Sequence, residues 1–323
     1  MSIPALEALR AAHPHALITI LARPWVADVY QGAPFCDQLL LYHPPPGWRE
    51  WGAKRRLARV LRAIGFDLAV LLPNSFEAAL VAWWSDTPER VGYARDGRSW
   101  LLTRAIPPPR PGESPVHERF YYLELLRRAG LIDSWPEDAP IRLPATPRPF
   151  ADLDLPQAVV GVSPGAAFGT AKRWLPERFA AAAVELAREH EAAVVVFGSR
   201  DEREVCEQVA AQVERAGVTA RSLAGETTLR EFMDRAAACR LFLTNDNGAM
   251  HLVSALGVPA VAVFGSTDHT TTGPVGEQVR IVREAVECSP CLKRHCPIDH
   301  RCMTRVSPER VVEAARSLVQ IRK

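Results

Sequence analysis

The 323-residue chain lacks several features that would each have narrowed its chemistry at once. No apolar run approaches the roughly 20 residues that cross a bilayer, because proline, glycine or a charge interrupts every candidate. No secretory leader opens it either: MSIPALEALRAAHP sets Glu7 and Arg10 into an amphipathic helical pattern where a leader needs an apolar core. Charge is nearly balanced, with 39 Lys and Arg against 37 Asp and Glu, so neither nucleic acid nor an anionic membrane is required as a partner. Any anionic ligand must be held locally. No G-x-G-x-x-G follows a strand-like segment, which argues against a dinucleotide redox cofactor. Seven cysteines, an odd number in a chain this long, do not form the framework of a small secreted domain and are expected as thiols. The expectation is a cytoplasmic protein with no transmembrane segment.

What is present is enough for two domains: 323 residues with 48% hydrophobic content. Short aliphatic runs alternate with longer helical patterns in both halves, the mark of an α/β protein with parallel sheets covered by helices. Strands are predicted at residues 16–22, 38–42 and 66–72, then at 158–163, 193–197, 241–244 and 258–264. The clearest helices are predicted at 3–12, 55–64, 76–84, 176–190, 229–238 and 308–321. The proline-rich stretch from Leu143 to Pro156 reads as a linker, giving domains 1–150 and 151–323, with the last helix in a position to pack back on the first. The first half opens with a helix where an α/β domain normally opens with its innermost strand, so that strand is expected to be missing from the chain as it starts here.

Two segments carry candidate chemistry. Leu241-Phe-Leu-Thr-Asn-Asp-Asn-Gly-Ala-Met-His251 is a buried strand running into a polar turn and then a helix, whose first N–H groups and dipole suit a phosphate. Gly161-Val-Ser-Pro-Gly-Ala-Ala-Phe-Gly-Thr-Ala-Lys-Arg-Trp174 also follows a strand. There Gly165 and Gly169 allow close backbone approach, Thr170 offers a hydroxyl and Lys172 a compact charge. Each has a plain structural reading: Asp246 or Asn247 caps a helix with His251 in its first turn, and Lys172 and Arg173 face water while Trp174 fills the core. Both should lie at the carboxyl ends of parallel strands, where α/β sheets bind ligands. The loops Phe197–Glu202 and Ala224–Thr228 follow neighbouring strands and are places for ribose and base.

Taken in order, Pro164-Gly-Ala-Ala-Phe-Gly-Thr-Ala-Lys-Arg-Trp174, Leu223-Ala-Gly-Glu-Thr227, Thr244-Asn-Asp-Asn-Gly-Ala-Met-His251 and Phe264-Gly-Ser-Thr-Asp268 resemble the motifs of glycosyltransferase family 9, the ADP-heptose:lipopolysaccharide heptosyltransferases, and most closely its heptosyltransferase II subgroup. Leu72-Pro-Asn-Ser-Phe76, Arg90-Val-Gly-Tyr93 and His117-Glu-Arg-Phe-Tyr-Tyr122 are similar to that subgroup as well. The resemblance implies a GT-B fold of two Rossmann-like domains and an inverting, metal-independent transfer of heptose from ADP-L-glycero-D-manno-heptose to the lipopolysaccharide inner core. It implies no cofactor, and it puts the enzyme in the cytoplasm, peripheral at the inner membrane.

By the same resemblance Lys172 and Asp246 are catalytic, facing the donor phosphates and the heptose hydroxyls. Gly165, Ala166, Thr170, Gly225, Glu226, Thr227, Asn247, Gly248 and His251 complete the donor site. Asn74 and Ser75 fall on the acceptor side, a helix N-cap being the plainer reading of both. The family's base is an aspartate in a Gly-Asp pair ahead of the first helix, and the chain begins past that position. Trp25-Val-Ala-Asp28 looks similar but follows the second strand by position, so Asp28 is read as a loop or helix residue. Two further readings stand beside an active enzyme: a nucleotide-sugar-binding protein that has lost catalysis with the base loop, and a transferase using another nucleotide sugar. Cys288, Cys291, Cys296 and Cys302, with His295 and His300 between them, match no standard zinc spacing. They form a non-catalytic cluster open to metal, to disulfides or to neither.

Overall fold

The computed structural model describes residues 1–45, 47 and 49–319, and its contacts divide the chain into two units, Met1–Ala139 and Pro140–Lys323. The first unit runs α1 (Ile3–Ala12), β1 (Thr19–Ala22), α2 (Ala27–Tyr30), β2 (Gln38–Leu41), α3 (Arg49–Ile64), β3 (Leu68–Leu71), α4 (Phe76–Trp84), β4 (Glu89–Tyr93), β5 (Arg104–Ile106) and α5 (Glu118–Arg128). Strands β1 and β2 pair in parallel, and β3, β4 and β5 form a separate three-stranded parallel sheet. Helix α1 precedes β1, as the pattern of MSIPALEALRAA predicts, and packs against α5, whose Leu123, Leu125 and Leu126 are buried with Val91 and Tyr93 of β4. Ser75 caps α4, its hydroxyl accepting from the Ala78 N–H at 3.3 Å. Asp28 lies in α2, as the sequence reads.

The second unit continues with β6 (Val159–Ser163), α6 (Pro176–Glu189), β7 (Ala193–Val196), α7 (Arg203–Arg215), β8 (Ala220–Ser222), α8 (Leu229–Ala237) and β9 (Leu241–Asn245). It closes with α9 (Gly248–Ala255), β10 (Ala260–Phe264), α10 (His269–Thr272), β11 (Val279–Arg283), α11 (Arg301–Thr304) and α12 (Pro308–Val319). Its six strands are all parallel, in the order β8-β7-β6-β9-β10-β11. Counted from β6 this is the doubly wound order 3-2-1-4-5-6, with the reversal of winding between β6 and β9. Every residue of β6, β7, β9 and β10 is buried, which is why these strands read as unbroken apolar runs. Helices α6, α7 and α12 cover one face through Phe179, Leu186, Val209, Val213, Val312 and Leu318. Phe232, Met233 and Val253 of α8 and α9 cover the other. Each such side chain removed from water contributes about 1.5–3 kcal/mol.

The predicted linker behaves differently from its composition. Leu143 donates its N–H to Ala255 at 3.0 Å, and Phe150 is buried against Arg235, so the segment belongs with the second unit and the division falls at Ala139/Pro140. Its prolines leave few backbone donors to satisfy, which lets an irregular strand lie on the core. Helix α12, for which a return to the first unit was the expectation, buries Val311, Val312, Ala315 and Leu318 in the core of the second; its predicted end at Ile321 lies outside the described residues.

Candidate active site

At the reversal point β6 and β9 run side by side, Ser163 in register with Thr244, so the loops after them leave the sheet together. Two asparagines, Asn245 buried and Asn247 half-buried, join those loops. Asn245, fully buried at the end of β9, accepts from the Trp174 N–H at 2.9 Å and donates to the Pro164 carbonyl at 2.7 Å. Asn247 donates to the Gly165 carbonyl at 2.8 Å and to the Ser163 hydroxyl at 3.2 Å, while its own oxygen accepts from Met250 N–H at 3.0 Å and so caps α9. Buried amides with every group satisfied cost little and hold one geometry.

Between them stands Asp246, 4% exposed. Lys172 donates to its Oδ2 at 2.6 Å, and the Thr267 hydroxyl, after β10, donates to the same oxygen at 2.5 Å. Lys172 also lies 4.9 Å from the centre of the Phe168 ring, which Arg294 approaches at 5.4 Å. These groups line an open cleft of about 370 Å³ together with Asn247, Gly248, His251, Asp268, Thr271, Thr272 and Leu292. Its size falls within the range of small-ligand sites. Gly248 opens α9 with free space where a side chain would stand, so the first N–H groups of that helix face a ligand without obstruction. Asp268 caps α10, and the hydroxyl and N–H of Thr270 hold its carboxyl below the usual range.

Of the residues singled out in the sequence, Lys172, Asp246, Asn247, Gly248 and His251 line this cleft. Gly165 and Ala166 lie behind it: the Gly165 carbonyl receives Asn247, its Cα packs on the Glu202 carboxylate with no room for a Cβ, and Ala166 is buried. The Thr170 hydroxyl pairs with His295 Nδ1 at 3.0 Å and is not among the lining groups. Gly225, Glu226 and Thr227 sit after β8, two strands from β6, and do not line the cleft; the Gly225 N–H bonds to the Gly198 carbonyl at 2.9 Å. In the first unit, Asn74 donates to the Tyr121 hydroxyl at 2.9 Å and Ser75 performs its cap. Fully buried Arg98 braces that loop, donating to the carbonyls of Pro73, Ser75 and Tyr93. Phe168, Thr267, Asp268, Thr271, Thr272 and Leu292 also line the cleft without having been singled out. Thr267 and Asp268 stood in the motif Phe264–Asp268 with no role assigned, and position after a fully apolar strand, Ala260–Phe264, was the signal for one.

The cysteine-bearing segment straps this site. Cys291 and Leu292 donate their N–H groups to the Ser266 carbonyl at 3.1 and 2.8 Å, the Ala171 N–H bonds to the Arg294 carbonyl at 2.9 Å, and His300 Nε2 meets the Ala171 carbonyl at 3.1 Å. Gly169 adopts φ +154° where a Cβ would strike the Arg294 backbone, so only glycine closes this crossing. All four cysteines are free thiols, and among the described residues no group of three His, Cys, Asp or Glu is arranged to hold a metal. Burial first, and then the three neighbouring sulfurs, push the Cys302 thiol up to about 11.

A glycosyltransferase family 9 (heptosyltransferase) model matches residues 54–301. The chain is 30% identical to lipopolysaccharide heptosyltransferase 2 of Salmonella typhimurium, the match covering 99% of this chain and 94% of that protein. Among solved structures it is similar to E. coli ADP-heptose lps heptosyltransferase II, with TM-score 0.82 and 27% identity over 99% of this chain and 95% of that one. A family 9 glycosyl transferase from Veillonella parvula shares the fold at TM-score 0.83 with 23% identity, covering 98% and 92% of the two chains.

Proposed function

This chain belongs to glycosyltransferase family 9, and we propose that it moves heptose from ADP-L-glycero-D-manno-heptose to the lipopolysaccharide inner core, with inversion at the anomeric carbon and without a metal. The observation that carries the reading is the shared cleft of Lys172, Asp246 and the Asn247–Gly248 turn at the reversal point of the second sheet. The diphosphate lies against the first turn of α9, where unpaired N–H groups and the helix dipole favour negative charge. As the heptose–phosphate bond breaks, charge grows on the leaving ADP, and Lys172 with these fixed donors stabilises it as it develops. A lysine and a helix terminus supply the electrophilic assistance that a divalent cation gives in other transferases.

Lys172 is engaged by Asp246. Donor binding exchanges that carboxylate for phosphate, and Thr267 keeps its hold on Asp246, which then receives the heptose hydroxyls. The acceptor hydroxyl still requires a base. The family pattern assigns it to the aspartate of a Gly-Asp pair, and the acceptor to the side of Asn74 and Ser75. The acceptor is lipid-anchored, so the enzyme works at the cytoplasmic surface of the inner membrane.

Calorimetry with ADP and with ADP-heptose, beside a transfer assay in which product configuration is read by NMR, tests the reading. Saturable ADP binding that Lys172→Ala weakens, and an inverted product, are expected. Absence of ADP binding overturns the donor site, and turnover abolished by chelators and restored by a divalent cation overturns metal independence.

A further inference from the structure

The first unit carries a surface that the transfer chemistry leaves unused. Helix α3 buries Ala53, Lys54, Ala58 and Leu61 on one face, the Lys54 ammonium being neutralised by Glu50 at 3.1 Å and Glu77 at 2.6 Å. Its other side exposes Arg55, Arg56, Arg59 and Arg62 beside Trp51, Val60 and Ile64, which stand 52%, 53% and 44% open. Arg62 pairs with Asp86 at 2.7 Å, whereas Arg55, Arg56 and Arg59 have no carboxylate within ion-pair distance among the described residues.

Aromatic rings continue this face around α4. Phe76, two residues after Asn74, lies 6.2 Å from Trp100; Trp100 lies 6.1 Å from Trp83; and Trp84 lies 6.4 Å from Trp51, with the Arg55 guanidinium 5.4 Å over the Trp84 ring. Trp100 is 66% exposed and Trp83 44%. Singly exposed apolar residues are ordinary, but two neighbouring pairs of indoles, one reaching a helix that also carries guanidiniums without ion-pair partners among the described residues, are not. An indole has an apolar body and a polar N–H and settles at the headgroup level of a bilayer. Arginines beside it are drawn to an anionic leaflet while their stems lie along apolar surface.

We propose that this face, Trp51, Trp83 and Trp100 with Arg55, Arg56 and Arg59, docks the protein on an anionic phospholipid bilayer. Charge decides the occupant: the whole chain carries only +2, yet Arg55, Arg56 and Arg59 stand on the exposed side of the helix that carries Trp51 with no ion-pair partner among the described residues, Arg55 over the Trp84 ring, a pairing that suits lipid phosphates over acyl chains. The proposal rests on the transfer reading only for its purpose, delivery of the enzyme to a lipid-anchored acceptor.

Vesicle sedimentation of the full chain without donor or acceptor tests the surface alone, so its failure leaves donor binding and transfer standing. Binding to mixed phosphatidylglycerol–phosphatidylcholine vesicles is expected, weaker by about tenfold or more on phosphatidylcholine alone and falling with salt. Arg56→Gln with Arg59→Gln, and separately Trp83→Gln with Trp100→Gln, should each weaken it by about tenfold with unchanged circular dichroism and melting. Brominated lipids should quench the parent's fluorescence more than that of the tryptophan variant. No binding, equal binding to both vesicles, or folded variants that bind like the parent would overturn it. Tryptophan-dependent self-association without vesicle binding would instead give the face to a second copy of the chain.

Discussion

Replacing Asp246 with asparagine separates two roles that its bond to Lys172 combines. The ammonium and carboxylate meet at 2.6 Å with 14% and 4% exposure, so the cation must leave one anion to reach another. A hydrogen bond to a charged group contributes about 1.5–3 kcal/mol and a neutral one about 0.5–1.5. Asp246→Asn therefore lowers the cost of releasing Lys172 by about 1.5 kcal/mol, which should tighten ADP binding about tenfold. Lys172→Ala acts in the opposite direction. It removes the phosphate contact, weakens ADP about tenfold and lowers kcat by about 10²–10³ if the lysine also meets charge developing in the transition state. It also leaves Asp246 with Thr267 as its remaining side-chain donor. Because the cleft is open to water, the stability loss should be about 1–3 kcal/mol, below the 3–5 typical of a fully buried pair. Calorimetry of both variants with ADP at one ionic strength, with melting curves to confirm folding, measures these terms. The exchange idea is refuted if Asp246→Asn weakens ADP binding in parallel with Lys172→Ala.

Thr267→Val removes the second bond to Asp246 at nearly constant volume; ADP affinity should hold while ADP-heptose weakens about tenfold, and Thr267→Ser should restore it. An equal loss for both ligands would make Thr267 merely structural. Asp152 pairs with Arg235 at 3.0 and 2.6 Å and with Arg148 at 2.8 Å, contacts led by Arg235 that lower its pKa from 3.8 to about 2. A lowered folded pKa stabilises the native state above the unfolded value and is lost as pH falls through the folded one. The Tm deficit of Asp152→Asn should thus be full at pH 7 and shrink as pH falls below about 4; a deficit constant down to pH 3 would exclude the ion pair as its cause. Burial pushes Cys206 up to about 12 and Cys302 up to about 11, whereas Cys288 is exposed. Alkylation at pH 8 followed by peptide mapping should therefore find Cys288 modified first and Cys206 and Cys302 only after unfolding, and early loss of Cys302 would contradict its packing.

In the second unit, how legible a strand was depended on how completely it is buried. In the second unit β6, β7, β9 and β10 are buried on both faces, so Val159–Ser163 and Ala260–Phe264 carry an apolar signal that no helix pattern imitates. Strands at the margins were passed over. In β11, half-buried arginines break the apolar run Val-Arg-Ile-Val-Arg, and β8 is three residues long with Arg221 exposed. Helix α3 begins at Arg49 and not Arg55, since its first turns are polar and periodicity sees only the stripe that packs.

The site was legible through side chains with chemistry and silent where backbone geometry does the placing. Lys172 and Asp246 were recognisable as a cation and an anion on loops after strands, but nothing in their types says that they bond each other. Asn245 reads as one more polar residue in Thr-Asn-Asp-Asn. Its amide nevertheless ties Trp174 to Pro164 and fixes the distance between the loops, a task that only a fully buried group with two satisfied bonds can perform rigidly. Thr267 stood in the motif Phe264–Asp268 without a role because hydroxyls are common in turns and its meaning depends on strand order: β10 must lie beside β9 before the loop after it can touch Asp246. The doubly wound order therefore supplies part of the chemistry. Lys172 arrives from the loop after β6, Asp246 from β9 and Thr267 from β10, three neighbouring strands that converge on one carboxylate oxygen; a different strand order would leave the same residues apart.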